Sequence, residues 1–94
     1  MIGHRSFWLV AYDITSDHER AKVDRLLKGW GFRLQKSLWS VATGRPGIKR
    51  LADALEALGI QTGQVLIFRL ESDQAPIAIG KAFENPDGGI AYFV

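Results

Sequence analysis

The stretch FWLVAYDITSDHERAKVDRLLKGWGFRLQKSLWSV, residues 7–41, decides the fold. Its first six residues, Phe7–Tyr12, are a continuous apolar run that stops at Asp13, the pattern of a buried central strand. Ser16-Asp17-His18-Glu19 then opens a helix with a capping box. In that motif the Ser16 hydroxyl accepts from the Glu19 amide, and the Glu19 carboxylate reaches back to the Ser16 amide. Val23, Leu26, Leu27 and Trp30 follow at i, i+3, i+4 and i+7 and make one apolar face. Arg20, Lys22, Arg25 and Lys28 occupy the other. Gly29 and Gly31 bracket the helix end, where a left-handed residue is commonly required. From Phe32 to Val41 the chain alternates as a half-buried strand. Phe32, Leu34 and Leu38 fall on one face; Arg33, Gln35, Ser37 and Trp39 fall on the other, which reads as a polar outer face.

Working outward, Thr43–Gly47 is a turn, and Pro46 suits the first position of a second helix. Ile48, Leu51, Leu55 and Leu58 form that helix's apolar stripe, which Gly59 closes. Val65–Leu70 reads as another central strand, Ile77–Ile79 as a short edge strand, and Ile90–Val94 as a last strand after a turn at 86–89. A further short strand between residues 41 and 46 is left open by the pattern. Two helices so placed lie on one face of a mainly antiparallel sheet. The fold class is therefore α+β, a ferredoxin-like β-α-β-β-α-β sandwich with an additional C-terminal strand. The whole chain, 1–94, makes one domain, because 94 residues leave no room for a second.

Composition narrows the function classes. Hydrophobic residues make up 47% of the chain, enough for a core and too many for a disordered segment. A small domain with this much apolar surface gains stability by pairing with a copy of itself. No cysteine is present, which removes disulfides, thiolate metal sites and cysteine nucleophiles together. No apolar stretch approaches the ~20 residues that span a bilayer, and the first residues carry no cleavage pattern. The expectation is a soluble, cytoplasmic protein without a membrane partner. The net charge of +2 hides an asymmetry: residues 1–50 carry ten Lys/Arg against four acids, and residues 51–94 carry two against six. A basic half of this kind provides one face for a polyanion.

Candidate chemistry starts at Asp13, whose carboxylate ends an apolar strand beside a loop. One carboxylate is a poor hard-metal site, since Mg²⁺ takes octahedral oxygen ligands from carboxylates, water and phosphate. A twofold axis would let two copies of Asp13 share one ion. Arg33, Gln35, Ser37 and Trp39 offer donors to phosphate and a ring that stacks on a base. His4 and His18 lack ligand spacing, and there is no triad, phosphate-binding glycine loop or zinc pattern.

Tyr12-Asp13-Ile14, then Asp17, Arg20, Lys22, Val23 and Leu26-Leu27, then Gly31-Phe32-Arg33-Leu34-Gln35-Lys36-Ser37-Leu38-Trp39, closely resemble the Cas-two family of CRISPR systems. The resemblance is strong over about residues 7–41; from 48 to 80 only order and hydrophobicity agree. It implies a ferredoxin-like homodimer in which the tail, 84–94, adds a strand to the partner's sheet. It implies a bridge between dimers of the CRISPR integrase (Cas-one), with spacer DNA lying across it. For some members it implies a metal-dependent endonuclease acting on RNA or DNA. The aspartate matching Asp13 then binds Mg²⁺ (or Mn²⁺) at the dimer interface, with Arg20 and Arg33 stabilising the developing charge. Tyr12, Lys22, Arg33, Ser37 and Trp39 match positions associated with activity or nucleic-acid contact. Two positions depart from the family pattern: Ser40 stands where an acid is frequent, and Trp39 where Phe is.

The leading expectation is thus a nucleic-acid-binding homodimer of the spacer-acquisition complex, with a metal-dependent endonuclease second. A generic module binding single-stranded RNA on its sheet ranks last, because Phe7–Tyr12 lacks the alternating exposed aromatics that such sheets use.

Overall fold

Alternation along the first strand sets where the core lies. The computed structural model describes residues 5–71, together with 77, 79 and 80. These form β1 (Ser6–Ile14), α1 (Asp17–Lys28), β2 (Gly31–Gln35), β3 (Leu38–Thr43), α2 (Arg45–Ala57) and β4 (Gly63–Leu70). In β1, Trp8, Val10, Tyr12 and Ile14 are buried while the residues between them are not. They meet Trp39 and Val41 of β3, Val23 and Leu27 of α1, and Leu51 and Leu55 of α2 in a single core. Both helices therefore cover the same face of the sheet.

The strands lie in the order β2-β3-β1-β4, and each neighbouring pair is antiparallel. β1 and β2 are consequently parallel to one another, as are β3 and β4, and each parallel pair is joined through a helix. Two interleaved split β-α-β units result, which is the ferredoxin-like arrangement expected. No helix among the described residues is long and apolar enough to cross a membrane.

Several local expectations change. The stretch from Phe32 to Val41 is a hairpin, with β2 and β3 reversing at Lys36–Ser37 and a register irregularity between Arg33 and Gln35. The uncertain strand beyond residue 41 is the end of β3. Which face of this segment is buried is also reversed. Trp39 is 2% exposed and stands directly across from Arg33 on the covered face, whereas Phe32 is 57% exposed. The helices pack against the Arg33 side because an acid on α1 compensates the charge, as described in the next subsection.

The capping box forms by half. The Ser16 hydroxyl accepts from the Glu19 amide at 3.2 Å, but the Glu19 carboxylate turns away. It accepts instead from the amides of Gln61 and Thr62 at 2.9 and 3.0 Å and from the Thr62 hydroxyl at 2.6 Å. Pairing of β4 with β1 delivers that loop to the helix start, so three donors displace the single local one. These bonds, the Thr62 hydroxyl first, hold the Glu19 carboxyl below its ordinary range.

Helix α1 ends without a left-handed residue: Gly29 is right-handed at φ −82°, and its amide and that of Trp30 donate to Leu26 and Leu27 carbonyls. Gly59, at φ +67°, does provide the left-handed stop after α2. β4 is an edge strand of the described sheet, not a central one. Ile77 and Ile79 belong to no strand and are 81% and 96% exposed, with residue 78 between them outside the described set. The expected turn at 86–89, the strand at 90–94 and the tail at 84–94 also lie outside the described residues.

Candidate functional site

The residues singled out in the sequence divide between the two faces of the sheet. Tyr12, Arg33 and Trp39 all point toward the helices and meet one another there. The Tyr12 hydroxyl donates to Asp24 Oδ1 and lies 3.3 Å from the Lys36 carbonyl oxygen. It accepts from Trp39 Nε1 at 3.1 Å. Arg33 Nη2 pairs with the other oxygen of Asp24 at 3.0 Å, and its guanidinium carbon sits 4.9 Å from the centre of the Trp39 ring. A carboxylate, a guanidinium, a phenol and an indole thus satisfy one another beneath α1. Little solvent reaches them, with 17% of the Arg33 side chain and 27% of the Asp24 side chain exposed.

Burial, and then the bond to Asp24, push the Tyr12 hydroxyl up to about 12. It therefore keeps its proton at neutral pH and cannot serve as a base. Trp39 has no free ring face for stacking, and Tyr12 is 6% exposed. What this cluster does chemically is fix the β2–β3 hairpin to β1 and α1.

Asp24 was missing from the sequence reading. Its signal was legible: it follows Val23 and precedes Leu27 by one helical turn, so an acid interrupts the inward stripe. An acid in that place asks for a buried cation, and Arg33 is it.

Asp13 goes the other way. It follows Tyr12 on β1, so its side chain leaves the opposite, helix-free face, where it is exposed and paired in register with Gln64. The backbone beneath it is tightly set. A Cβ on Gly63, one position along β4, would run into the Asp13 carbonyl, so only glycine lets the strands approach here. Arg20 closes the other side: its Nη1 donates to the carbonyls of Ile14 and Thr15 at 2.6 and 3.0 Å, and it pairs with Asp17. Arg20 thereby straps the loop that follows Asp13.

Lys22 lies half-buried on α1, beside a groove it shares with Arg25, Leu26 and Leu58. Ser37 sits in the hairpin turn, and its carbonyl accepts from the Tyr12 amide at 3.0 Å. His18 is exposed in the first turn of α1. Among the described residues no three His, Cys, Asp or Glu come together to hold a metal. Among the described residues Asp13 has no second carboxylate grouped with it, which is a poor fit for Mg²⁺ without further ligands from elsewhere.

The chain resembles known proteins in both sequence and structure. It is 35% identical over 69 residues to a CRISPR-associated endoribonuclease Cas2 of Pyrobaculum aerophilum, covering 70% of each chain. It is 25% identical over 77 residues to a CRISPR-associated endoribonuclease Cas2 of Mycobacterium tuberculosis, covering 82% of this chain and 68% of that one. Its fold matches a crystal structure of a hypothetical protein from Thermus thermophilus with a TM-score of 0.72 at 24% identity, covering 82% of this chain and 95% of that one. A crystal structure of Cas2 matches with a TM-score of 0.71 at 19% identity, covering 82% and 87%. The family model for CRISPR associated protein Cas2 matches residues 6–76, well over half of the chain. With the split β-α-β order, Tyr12-Asp13 near the end of β1 and the Gly31–Trp39 hairpin all in place, the chain belongs to the Cas2 family of CRISPR-associated proteins.

Proposed function

We propose that the chain works as a homodimer that binds nucleic acid in the spacer-acquisition complex, bridging integrase (Cas-one) dimers and holding spacer DNA. The observation that carries this reading is the helix-free face of the sheet. Phe32, Leu66 and Phe68 stand 57%, 44% and 50% exposed there, an apolar surface that the same face of a second copy would cover. Charge supports the nucleic-acid part. Lys22, Arg25 and Lys28 lie on α1, and none pairs with an acid among the described residues. They belong to the strongly basic first half of the chain, a surface suited to phosphates.

A second reading, metal-dependent endonuclease acting on RNA or DNA, is favoured by one observation. Asp13 is exposed on that same face, so a face-to-face pair would place two such carboxylates on one surface. Relatives named as endoribonucleases point in the same direction. In this reading the two Asp13 residues would hold Mg²⁺ or Mn²⁺, which supplies a polarised water and neutralises phosphate charge. Arg20 and Arg33 then act as positioning residues, because their guanidinium groups are engaged by the Asp13 loop and by Asp24.

The dimer is tested by sedimentation, which should give twice 10.5 kDa for wild type and a monomer for Phe68→Glu. A wild-type monomer at micromolar concentration would remove the interface. The two functional readings separate on cleavage of labelled single-stranded RNA and duplex DNA with Mg²⁺ or Mn²⁺. Cleavage that Asp13→Asn abolishes establishes the nuclease; tight, salt-sensitive binding without cleavage by either protein favours the adaptor.

A further inference from the structure

Four arginines gather at the end of β1 farthest from Asp13. Arg5 precedes β1, Arg45 and Arg50 lie in the first two turns of α2, and Arg69 lies near the end of β4, in register with Trp8. All four line one cleft of about 590 Å³, together with Ser6 and Thr43. Among the described residues no carboxylate lines it and none of the four forms an ion pair. Asp53, an acid farther along α2, is engaged by Lys49 at 3.2 Å. The contact made by Arg69 within the cleft is a long one, 3.5 Å to the Ser6 hydroxyl.

Four like charges with no counter-charge among the described residues repel one another and make the cleft a strong attractor for anions. The start of α2 adds to this instead of opposing it. Its cap is Gly44, with no side-chain hydrogen bond, and its first turn has no acid. Guanidinium groups are planar forks that match the paired oxygens of an oxyanion and repel metal cations, and within the nucleic-acid reading that oxyanion is a phosphate group.

We propose that this cleft is a second, phosphate-binding contact for nucleic acid, separate from the Asp13 surface. Seven steps along β1 from Ser6 to Asp13, at ~3.3 Å each, put the two sites roughly 23 Å apart at opposite ends of the strand. The inference rests on the nucleic-acid reading above. The phosphate recognised belongs either to the backbone or to a 5′ end.

The test is fluorescence anisotropy with labelled duplex DNA and single-stranded RNA, each carrying a 5′-phosphate or a 5′-hydroxyl, over a series of salt concentrations. The variants are Arg45→Gln/Arg50→Gln, both at exposed positions, and Lys49→Gln, a neighbouring helix cation outside the cleft, with circular dichroism to check the fold. The double variant should bind about tenfold more weakly or worse, with a log–log salt slope shallower by about two. Lys49→Gln should stay within about twofold of wild type. A larger loss on the 5′-phosphorylated strands assigns the cleft to a terminal phosphate, and an equal loss assigns it to the backbone. An unchanged double variant overturns the proposal, as does an equal loss in Lys49→Gln. Wild type that binds none of the four oligonucleotides overturns the nucleic-acid reading itself, and this inference with it.

Discussion

The two faces of the sheet use their residues in opposite senses. On the covered face, polar and charged groups are packed inward: buried Tyr12 and half-buried Asp24 and Arg33 close a hydrogen-bonded cluster against Trp39. On the open face, apolar groups are exposed, with Phe32, Leu66 and Phe68 on the same face as Asp13. The difference teaches how to read the family pattern in this chain. Three of its conspicuous residues, Tyr12, Arg33 and Trp39, shape the subunit from within. Asp13, the immediate neighbour of Tyr12 in sequence, is instead exposed on the open face. A strand separates such roles for neighbouring residues because successive side chains point to opposite faces.

The contrast is broken most severely by Trp39→Ala. Emptying a fully enclosed indole site should cost about 3–5 kcal/mol in urea unfolding, a large share of the stability of so small a domain. Next comes Asp24→Ala, which leaves Arg33 and Tyr12 without their shared acceptor. A loss of about 1.5–3 kcal/mol is expected, and Asp24→Ala combined with Arg33→Met should recover part of it.

Tyr12→Phe should cost about 1 kcal/mol and carries a pH signature. A phenol whose folded pKa is raised from 10 to about 12 stabilises the fold fully below pH 10. That contribution is lost as pH rises from 10 toward 12. Wild type should therefore lose thermal stability across this window, and Tyr12→Phe should lose correspondingly less. Equal losses would mean that the hydroxyl is not buried. The smallest effect belongs to the open face. Phe32→Ser should change the subunit's unfolding free energy by no more than about 0.5 kcal/mol while shifting a monomer–dimer equilibrium toward monomer. A loss rivalling that of Trp39→Ala would mean that the faces have been assigned the wrong way round.

Much of the fold was legible because its signals are local. The Phe7–Tyr12 run, the Val23–Trp30 stripe, Pro46 and Gly59 each mark an element by periodicity or backbone preference, and each element is present. The hairpin was read as one strand because alternation survives a two-residue reversal closely enough to hide it. The same alternation groups Arg33 with Trp39 correctly. It cannot say which group faces the helices, since Phe32 and Leu38 are the more apolar pair by sequence. Asp24 supplies that answer only when α1 is laid across β2 and β3.

By itself, then, the sequence determined the two helices, strands β1 and β4, the Ser16 cap and the Gly59 stop, and the resemblance that places the chain in its family. These follow from short-range physics: repeat periods, φ preferences and fixed spacings. Tertiary structure alone decided that Glu19 turns to Thr62, that Arg33 pairs with Asp24 beneath α1, and that Arg5, Arg45, Arg50 and Arg69 share one cleft. Each joins residues from separate elements, and strand pairing, not chain proximity, sets which charges become neighbours.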